Sequence, residues 1–426
     1  MDIKGIVLKD LGINDLTGPS LREAITRHNE ELADAEKRRV NREIAQWVIA
    51  AVKDSGDTEK PANTAKVASL SGTNVLGVNH AGPLDVTIEW KTGPDGSLTL
   101  ARYRMDPGGD QINVSKVFSN FNKNIALVAL SGKAEDEITN VWEKDFLNGN
   151  ISCVLVRDKE NKQVEVLNIV DSEALPVMHG WAEELSEKTV EDLNRETMTM
   201  LDEMFKAGSS TVWMVISAGG PIRYNRSLPY YSSLVKLVKE KYRDKVELLI
   251  DFWHMSAPKE AMSVLDISRK TPQDIIKPNV EEFIQILTSS GLVKKGVLDK
   301  NTITEDTVKK YAVKLRDKYD LLGVLVSLDK NGLILVMRDK IIQEKGIKII
   351  PACHTAAGDS LKAGVLYALS NGKTFEQAVH TGNLFGASTA SMEGTQTVTP
   401  QVLARTEALA KEQGVAPVVE YLESRS

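Results

Sequence analysis

Apolar residues recur along most of this 426-residue chain with the spacing of strands and helices in alternation. From about residue 73 onward, short apolar runs alternate with stretches in which apolar residues return every three or four positions. The predicted strands are 74–78, 125–130, 151–156, 164–169, 211–217, 246–252, 274–277, 323–328 and 332–337, and the predicted helices are 113–121, 189–206, 229–241 and 357–370. This alternation predicts an α/β fold with a mainly parallel sheet and helices on both faces.

Two predicted hairpins interrupt the alternation. Residues 86–104 alternate apolar and polar side chains on either side of the turn at 93–96. Residues 151–156 and 164–169 form a second candidate hairpin around a polar segment. We expect both hairpins to form a small β-layer at an edge of the sheet, which could serve as a lid.

The first 72 residues have a different pattern. Ser20 and Glu23 have the spacing of a capping box, which predicts a helix from there to about Asp54. A polar segment without periodicity, 55–66, follows as a linker. This extension either packs on the main body or contacts another subunit, and packing is the simpler reading. The predicted division is 1–72 for the helical extension and linker and 73–426 for the main domain, with lid strands within about 84–106 and 151–171.

Composition and charge exclude several classes of protein. The chain is 42% hydrophobic and 26% charged, which is typical of globular proteins and excludes bulk disorder. A net charge of −6, with no basic stripe interleaved with aromatics, argues against a nucleic-acid partner. No apolar run approaches the ~18 residues of a membrane-spanning helix, and no secretory signal is visible. With only Cys153 and Cys353 as cysteines, we expect a cytoplasmic enzyme without a membrane partner.

The strongest chemical signal lies at His354–Leu369. Three small residues, Ala356, Ala357 and Gly358, lead into Asp359 at the start of an amphipathic helix. The unpaired N–H groups and the dipole of a helix start can hold phosphate oxygens or the charge of a transferring phosphoryl group. A carboxylate at this point can accept the proton of an attacking hydroxyl. The alternative is that Asp359 only caps the helix.

This segment resembles the second signature of the PfkB (ribokinase-like) family of sugar kinases, D-T-x-G-A-G-D followed by a helix with A-G. Gly358, Asp359 and the pair Ala363-Gly364 match, whereas the leading Asp-Thr pair and the first Gly do not. The resemblance covers about 74–409 and is carried by several partial motifs in the family's order. It implies a ribokinase-like fold, ATP as phosphoryl donor and Mg²⁺ as cofactor. It also implies that Asp359 is the base and that the amides of Ala356, Ala357 and Gly358 hold the phosphoryl charge.

Further motifs extend the resemblance to the nucleotide side. Ile276–Phe283 resembles K-P-N-x-x-E, which implies that Asn279 and Glu282 organise Mg²⁺ and its waters near the phosphates. Oxygen ligands suit that hard ion, although Glu282 taken alone is most simply a charge at a helix start. The resemblance implies that Lys277, Ser327, Gly332 and Asn383 bind the nucleotide, with Asp329 standing where the family has the first Gly of S/T-x-G-x-x-G.

The acceptor side departs more strongly from the family. Met105–Phe118 resembles the first signature, G-G-K-G-I-N-V-A-R, which implies that Gly108, Gly109 and Asn113 contact the sugar. Asp110 and Gln111 replace Lys-Gly, and a carboxylate would repel the acceptor phosphate that this lysine helps to hold. The resemblance also assigns Asp85 to sugar hydroxyls. The candidate replacement cations are Arg102, Arg104, Lys116 and Arg157.

These motifs together predict ATP-dependent phosphoryl transfer to a hydroxyl of a sugar or sugar phosphate. The resemblance is nearest the 1-phosphofructokinase and tagatose-6-phosphate kinase branch. Two alternatives stay open: a kinase for an unphosphorylated sugar, polyol or nucleoside, and a non-catalytic binding protein on the same fold. Joint retention of Gly358, Asp359, Asn279 and Glu282 favours a kinase over a binding protein. A homodimer that forms through the lid is a further expectation.

Overall fold

A computed structural model describes part of the chain. The described residues are 70–79, 84–92, 98–132, 139, 151–157, 165–170, 186–218, 230–252, 258–268, 273–392 and 396–422. The predicted N-terminal helix, the linker and the turn of the first hairpin lie outside these ranges, so those predictions stay untested.

Strands and helices alternate along the described part of the chain, as predicted. The strands are β1 Val75–Asn79, β2 Leu84–Thr92, β3 Leu98–Pro107, β4 Ile125–Ser131, β5 Ile151–Arg157, β6 Glu165–Val170, β7 Val212–Ser217, β8 Val246–Asp251, β9 Ile275–Lys277, β10 Gly323–Ser327, β11 Leu333–Met337, β12 Lys340–Glu344 and β13 Val418–Tyr421. The helices are α1 Asp110–Asn120, α2 Glu187–Lys206, α3 Tyr230–Tyr242, α4 Pro258–Ser268, α5 Val280–Ser289, α6 Glu305–Tyr319, α7 Ala357–Ser370, α8 Phe375–Ala390 and α9 Pro400–Glu412.

Two sheets contain these strands. Within the described residues the large sheet has the order β13-β12-β11-β10-β9-β8-β7-β1-β4-β5, and the small sheet has the order β3-β2-β6. From β5 to β10 every neighbouring pair in the large sheet is parallel. The strands β11, β12 and β13 extend it by antiparallel pairing. The predicted fold class, a mainly parallel sheet flanked by helices, is confirmed.

The first predicted hairpin is confirmed and the second is wrong. Strands β2 and β3 pair antiparallel from Leu84↔Pro107 to Thr92↔Leu98. Strand β5 instead joins the large sheet parallel to β4, and β6 joins the small sheet parallel to β2. Residues 151–157 are therefore not lid strands. A polar segment between two apolar runs is the signal of a hairpin, but it is equally compatible with two strands that part into different sheets.

Several elements that the apolar pattern left unassigned begin at recognisable caps. The helix α5 starts with a capping box between Asn279 and Glu282. The helix α8 starts with a second box between Thr374 and Gln377. The helix α9 has Thr399 as N-cap and proline at its first position. Each cap satisfies amide groups that a helix start leaves open.

Apolar side chains cover both faces of the large sheet. In β4 the residues Ile125, Leu127 and Ala129 pack into one core cluster together with residues of α1, α7 and α8. The alternate residues of β4 pack on the other side with α2, α3, α4, α5 and α6. In α/β proteins of this kind, ligands bind at the carboxyl ends of the parallel strands.

A glycine pair allows close packing on the face that carries α7. A Cβ atom at Gly364 would lie 2.8 Å from the carbonyl oxygen of Thr381 and 2.9 Å from the Cα of Gly382. The helices α7 and α8 therefore cross with their backbones almost in contact, which fixes the direction of α7. This contact accounts for the Ala-Gly pair that the sequence shares with the second signature.

Cys153 and Cys353 are both buried free thiols. Among the helices that the structure describes, none combines the length and the apolar character needed to cross a membrane.

Candidate active site

The carboxyl ends of four parallel strands place polar side chains at one edge of the large sheet. Asn79 ends β1, Ser217 ends β7, Asp251 ends β8 and Lys277 ends β9. All four residues are buried, although residues of these types are mostly exposed in proteins. Buried polar groups at this edge indicate a built site, because each of them needs partners to offset its desolvation.

The helix α7 begins at this edge and carries Asp359 in its first turn. Its N-cap is Ala356, which has the left-handed conformation with φ 63° and ψ 0°. Ala356 stands where the family signature has its first Gly, and its left-handed conformation is one that favours glycine. The Asp359 carboxylate contacts the side chains of Asn113 and Lys362 in addition to lying at the helix start.

Asp359 is held on both of its carboxylate oxygens. Asn113 donates from Nδ2 to Oδ2 at 2.9 Å. The ammonium of Lys362, three residues further along α7, lies 2.9 Å from Oδ1. The plain helix-cap reading of Asp359 therefore does not account for its contacts.

Lys277 lies beside the start of α7. Its Nζ is 3.7 Å from the position that a Cβ atom would take at Gly358 and 3.3 Å from Oδ1 of Asp251. An ammonium at this place adds to the positive end of the helix dipole. Together with the backbone amides it makes this point suitable for an anion such as a phosphoryl group.

Three carboxylates converge under the helix start. Asp110, Asp251 and Asp359 each place an oxygen within 4.8 Å of the other two. The fully buried Nζ of Lys362 lies among them, 2.5 Å from Oδ2 of Asp251 and 4.0 Å from Oδ2 of Asp110. We name these four residues the aspartate–lysine cluster. Lys362 was not among the predicted site residues, and its available signal in the sequence was a lysine in the apolar stretch that follows Asp359.

Burial and charge act in opposite directions on this cluster. Burial raises the pKa of Asp110 to about 6, although the ammonium of Lys362 opposes the shift. Burial acts in the same direction on Asp251, but Lys277 and Lys362 outweigh it and hold the pKa of Asp251 below its usual range. The two lysines therefore keep Asp251 charged, whereas the carboxyl of Asp110 loses its proton only as the pH rises through about 6.

The two residues that depart from the first signature form a hydrogen-bonded group. Ser217 donates to Oδ2 of Asp110 and accepts from Nε2 of Gln111 at 2.8 Å. The backbone N–H of Gln111 donates to Oδ1 of Asn79 at 3.3 Å. Gly109 precedes them with φ 111°, a conformation that favours glycine. Asp110 and Gln111 are therefore part of the site and not surface substitutions.

The candidate replacement cations are only partly described. Lys116 donates from Nζ to the carbonyl oxygen of Pro107 at 2.7 Å. Arg157 ends β5, and β4 separates that strand from β1. The side chains of Arg102, Arg104 and Asp85 lie outside the described part of the structure. Their predicted roles therefore stay predictions.

Asn279 and Glu282 form the capping box of α5. Glu282 Oε2 accepts from the amide of Asn279 at 2.8 Å, and Asn279 Oδ1 accepts from the amide of Glu282 at 2.9 Å. Burial, with Asp251 nearby, raises the pKa of Glu282 to about 8. Oxygen donors of this kind suit hydrated Mg²⁺. In the aspartate–lysine cluster, by contrast, an ammonium already lies between the carboxylates.

The loop after β10, which the motifs assign to the nucleotide side, contains two residues with positive φ. Asp329 has φ 50° and Gly332 has φ 100°. A Cβ atom at Gly332 would lie 2.0 Å from the carbonyl oxygen of Glu344, so only glycine fits there. The backbone of Ser327 forms an isolated parallel β-bridge with the backbone of Asn279. A cavity of about 360 Å³ lies beside these two segments, and its lining includes Asn279, Leu328, Asp329 and Asn331.

Asn383 is buried on α8. Its Nδ2 donates to Oε1 of Glu344 and to the carbonyl oxygen of Lys345, both at 2.9 Å. His380 Nδ1 contacts the same Glu344 oxygen at 2.8 Å, and this contact raises the pKa of His380. Asn383 is therefore not a surface residue, and its predicted contact with the nucleotide stays a prediction.

Comparison with known proteins gives the same family as the motifs. Residues 256–402 match the model of the pfkB family carbohydrate kinases. The resemblance to the PfkB family is confirmed. The matched region contains α7 with Asp359 and both segments assigned to the nucleotide side, and the expectation of a carbohydrate kinase agrees with it.

Solved structures of low sequence identity share the fold. Phosphofructokinase-2 from Escherichia coli has a TM-score of 0.63 at 17% identity, over 79% of this chain and 99% of that chain. A possible 1-phosphofructokinase from Thermotoga maritima has a TM-score of 0.61 at 18% identity, over 82% and 99%. Ribokinase from Thermotoga maritima has a TM-score of 0.57 at 17% identity, over 79% and 99%. The predicted ribokinase-like fold is confirmed.

The structure brings several PfkB motif residues together across the chain. Asn113 of the first motif contacts Asp359 of the second, 246 residues away. Lys277 reaches the Gly358 backbone from a third segment. Gly108 lies just before Gly109, at the start of α1. Arg157 ends a different strand from these groups.

Proposed function

We propose that this protein transfers the γ-phosphoryl group of ATP to a hydroxyl of a sugar or sugar phosphate. The observation that carries the proposal is the placement of Asp359 between Asn113 and Lys362 at the start of α7. The Nζ of Lys277 lies at the same helix start. A base and an anion-binding helix terminus are thus adjacent, as phosphoryl transfer requires.

In the proposed reaction Asp359 accepts the proton of the acceptor hydroxyl. The hydroxyl oxygen forms a bond to the γ-phosphorus, the bond from that phosphorus to the β–γ bridging oxygen breaks, and ADP leaves. The amides of Ala356, Ala357 and Gly358, with Lys277, stabilise the charge on the transferring group. These groups are fixed before the substrate binds, so little reorganisation is needed.

Mg²⁺ bound with ATP would neutralise triphosphate charge, and Asn279 and Glu282 are the residues that would hold it, mainly through water. Ser327, Gly332 and Asn383 are the proposed nucleotide contacts. On the acceptor side we propose Asp85, Gly108, Gly109 and Asn113 as contacts to hydroxyls and Arg157 as a cation for a phosphate.

The acceptor that fits the family motifs best is a hexose phosphate, in a reaction of the phosphofructokinase type. One observation favours an unphosphorylated acceptor instead. Asp110 presents a partly exposed carboxylate where the family has lysine, and Ser217 holds it in place. A carboxylate is suited to accept hydrogen bonds from hydroxyls and repels a phosphate. Assembly as a homodimer through the small β-sheet remains a prediction.

The decisive experiment measures ATP turnover on a panel of acceptors, with and without Mg²⁺. The panel contains fructose 1-phosphate, fructose 6-phosphate, tagatose 6-phosphate, ribose, fructose, inositol and nucleosides. Mg²⁺-dependent turnover of a phosphohexose supports the first acceptor class, and turnover of only unphosphorylated compounds supports the second. ATP binding without turnover of any acceptor would favour the non-catalytic binding protein.

The variant Asp359→Asn tests the assignment of the base. We expect kcat to fall by about 10²–10⁴-fold, the usual contribution of a positioned general base, while the Kd of ATP is unchanged. Asparagine keeps the size of the side chain and its contact with Asn113, so the fold should be preserved. A kcat equal to that of the wild type would remove Asp359 from the mechanism.

A further inference from the structure

Lys362 lies at the centre of the site, although the reaction as proposed gives it no role. It is fully buried on α7. Its Nζ lies 2.5 Å from Oδ2 of Asp251 and 2.9 Å from Oδ1 of Asp359. A buried ammonium persists only where opposite charges offset its desolvation, so the surrounding carboxylates define where this side chain lies.

The charge of Lys362 follows from these neighbours. Burial by itself would lower the pKa of Lys362, but Asp251, Asp359 and Asp110 together outweigh burial and raise that pKa above its ordinary value. Lys362 is therefore an ammonium at neutral pH. It faces three acidic side chains from three different elements, α1, β8 and α7.

The ammonium restricts the orientation of Asp359. Lys362 contacts Oδ1 while Asn113 donates to Oδ2, so each carboxylate oxygen has a partner. The Asp359 side chain is 13% exposed, which leaves a narrow face for an acceptor hydroxyl. A base held in this way presents the same atom in every turnover, and misplacement by about 1 Å can lower a rate by about 10²-fold.

The ammonium also offsets the charge that Asp110 introduces. Without Lys362, oxygens of three acidic residues would face one another within 4.8 Å. Lys277 contacts only the Asp251 member of this group in the described structure. Like charges at such distances repel and disfavour one another's ionisation.

We propose that Lys362 is a positioning residue for Asp359 and that, as a buried cation, it offsets the negative charge that Asp110 introduces in place of the signature lysine. The inference rests on the proposed function, because it treats Asp359 as the base. It goes beyond that function by assigning the departure at residue 110 and the lysine at residue 362 to one coupled pair.

The first test is Lys362→Met, which keeps the unbranched side chain and removes the charge. We expect kcat to fall by about 10²-fold while the KM of ATP changes by less than about threefold. The matched control is Lys239→Met, which removes a lysine from another buried pair, where Nζ lies 2.6 Å from Oδ1 of Asp274. The kcat of Lys239→Met, calculated per folded molecule, should equal that of the wild type. A wild-type kcat in Lys362→Met would overturn the proposal.

The second test measures coupling and covers the case in which Lys362→Met does not fold. Asp110→Asn, Lys362→Met and the double variant form a cycle, and a fourth protein exchanges the charges as Asp110→Lys with Lys362→Met. We expect the double variant to unfold at a higher urea concentration than Lys362→Met alone. We expect the exchanged variant to fold and to have a kcat at least about tenfold above that of Lys362→Met. Additive effects on the urea midpoint, with no recovery in the exchanged variant, contradict the pairing.

These outcomes separate this inference from the proposed function. If Asp359→Asn abolishes turnover and Lys362→Met does not lower it, the kinase assignment stands and the positioning role is wrong. If the wild type phosphorylates none of the acceptors, the function fails, while the urea midpoints still report whether residues 110 and 362 are coupled. The unfolding readout does not depend on activity.

Discussion

Opposite edges of the large sheet each bury a lysine against aspartate, but the aspartates differ in their exposure to solvent. At the amino-terminal edge Lys239 contacts Asp274 and also donates to the carbonyl oxygen of Val246 at 3.0 Å. The amide of Leu248 donates to the same Asp274 oxygen at 3.0 Å. Both side chains of this pair are at most 5% exposed. Burial and the nearby Asp274 raise the pKa of the neighbouring Glu247, and Lys239 opposes that shift.

The carboxyl edge has a larger group of charges. In the aspartate–lysine cluster three acidic residues surround the ammonium of Lys362, and Lys277 contacts one of them, Asp251. Two of them, Asp110 and Asp359, remain partly exposed at 20% and 13%. A closed pair serves packing, whereas a partly open group of charged side chains with shifted pKa values is typical of a functional site. The comparison indicates that access of solvent to part of the charged group, and not the presence of a buried ion pair, distinguishes the two edges.

Removing the lysine of the closed pair should have the largest effect on stability. We expect Lys239→Met to lower the free energy of unfolding by about 3–5 kcal/mol, because Asp274 is left buried without its cation. Urea denaturation at pH 7 measures this loss. The control is Lys236→Met on the same helix. Lys236 forms an exposed ion pair with Glu240 at 3.9 Å, and its removal should change the free energy of unfolding by less than about 1 kcal/mol. Equal effects of the two substitutions would show that the buried pair contributes no more to stability than the exposed pair.

The pH dependence of stability should differ between wild type and Asp110→Asn. The folded-state pKa of Asp110, about 6, lies above its ordinary value of 3.8, so between these values the folded protein holds a proton that the unfolded chain has lost. The contribution of Asp110 to the free energy of unfolding of the wild type is therefore fully present below about pH 4 and is lost as the pH rises through 6. At about 1.4 kcal/mol per pKa unit, this loss amounts to about 3 kcal/mol.

The variant Asp110→Asn has no titratable group at residue 110, so it should not lose this part of its free energy of unfolding as the pH rises. Its urea midpoint between pH 4 and pH 7 should therefore fall less steeply than that of the wild type. The groups that face Asp110 and remain in the variant are Lys362, Asp359, Asp251 and Ser217. Parallel curves for the two proteins would show that Asp110 does not have a raised pKa.

The smallest predicted effect concerns backbone strain at the two edges. Ala356, at the carboxyl edge, has φ 63°, and Asp320, which ends α6 near the other edge, has φ 51°. Left-handed backbone costs an alanine about 1–2 kcal/mol, and aspartate tolerates it better. We expect Ala356→Gly to raise the free energy of unfolding by about 1 kcal/mol.

The matched control for Ala356→Gly is Asp320→Gly. It relieves less strain and also removes an ion pair with Arg338, so its stability should change by less than about 0.5 kcal/mol. Thermal unfolding measures both variants. A loss of stability in Ala356→Gly would show that the alanine methyl group contributes packing that exceeds the strain.

Local sequence patterns predicted most elements close to their observed bounds. The helix expected at 357–370 is α7, Ala357–Ser370, and the strand expected at 246–252 is β8, Val246–Asp251. Apolar periodicity and caps are local, and these elements bury the faces that the periodicity marks. The second hairpin was wrong because strand pairing depends on partners that are distant in sequence, and β5 and β6 pair in two different sheets.

The candidate site divides in the same way. Resemblance to the family motifs singled out Asp359, Gly358, Lys277 and Asn113, because each motif is a short run of adjacent residues. The sequence also showed that Asp110 departs from its motif. It did not show what balances that charge.

The sequence by itself therefore determined the α/β alternation, the family motifs and the place of Asp359 at a helix start. Only the tertiary structure decided which strands share a sheet and that Lys362 lies among three aspartates. It also decided that Ala356 and Asp329, at the positions of two family glycines, have a positive φ. The physical reason is that periodicity and capping act within a few residues, whereas burial and electrostatic balance are set by groups that the fold brings together over hundreds of residues.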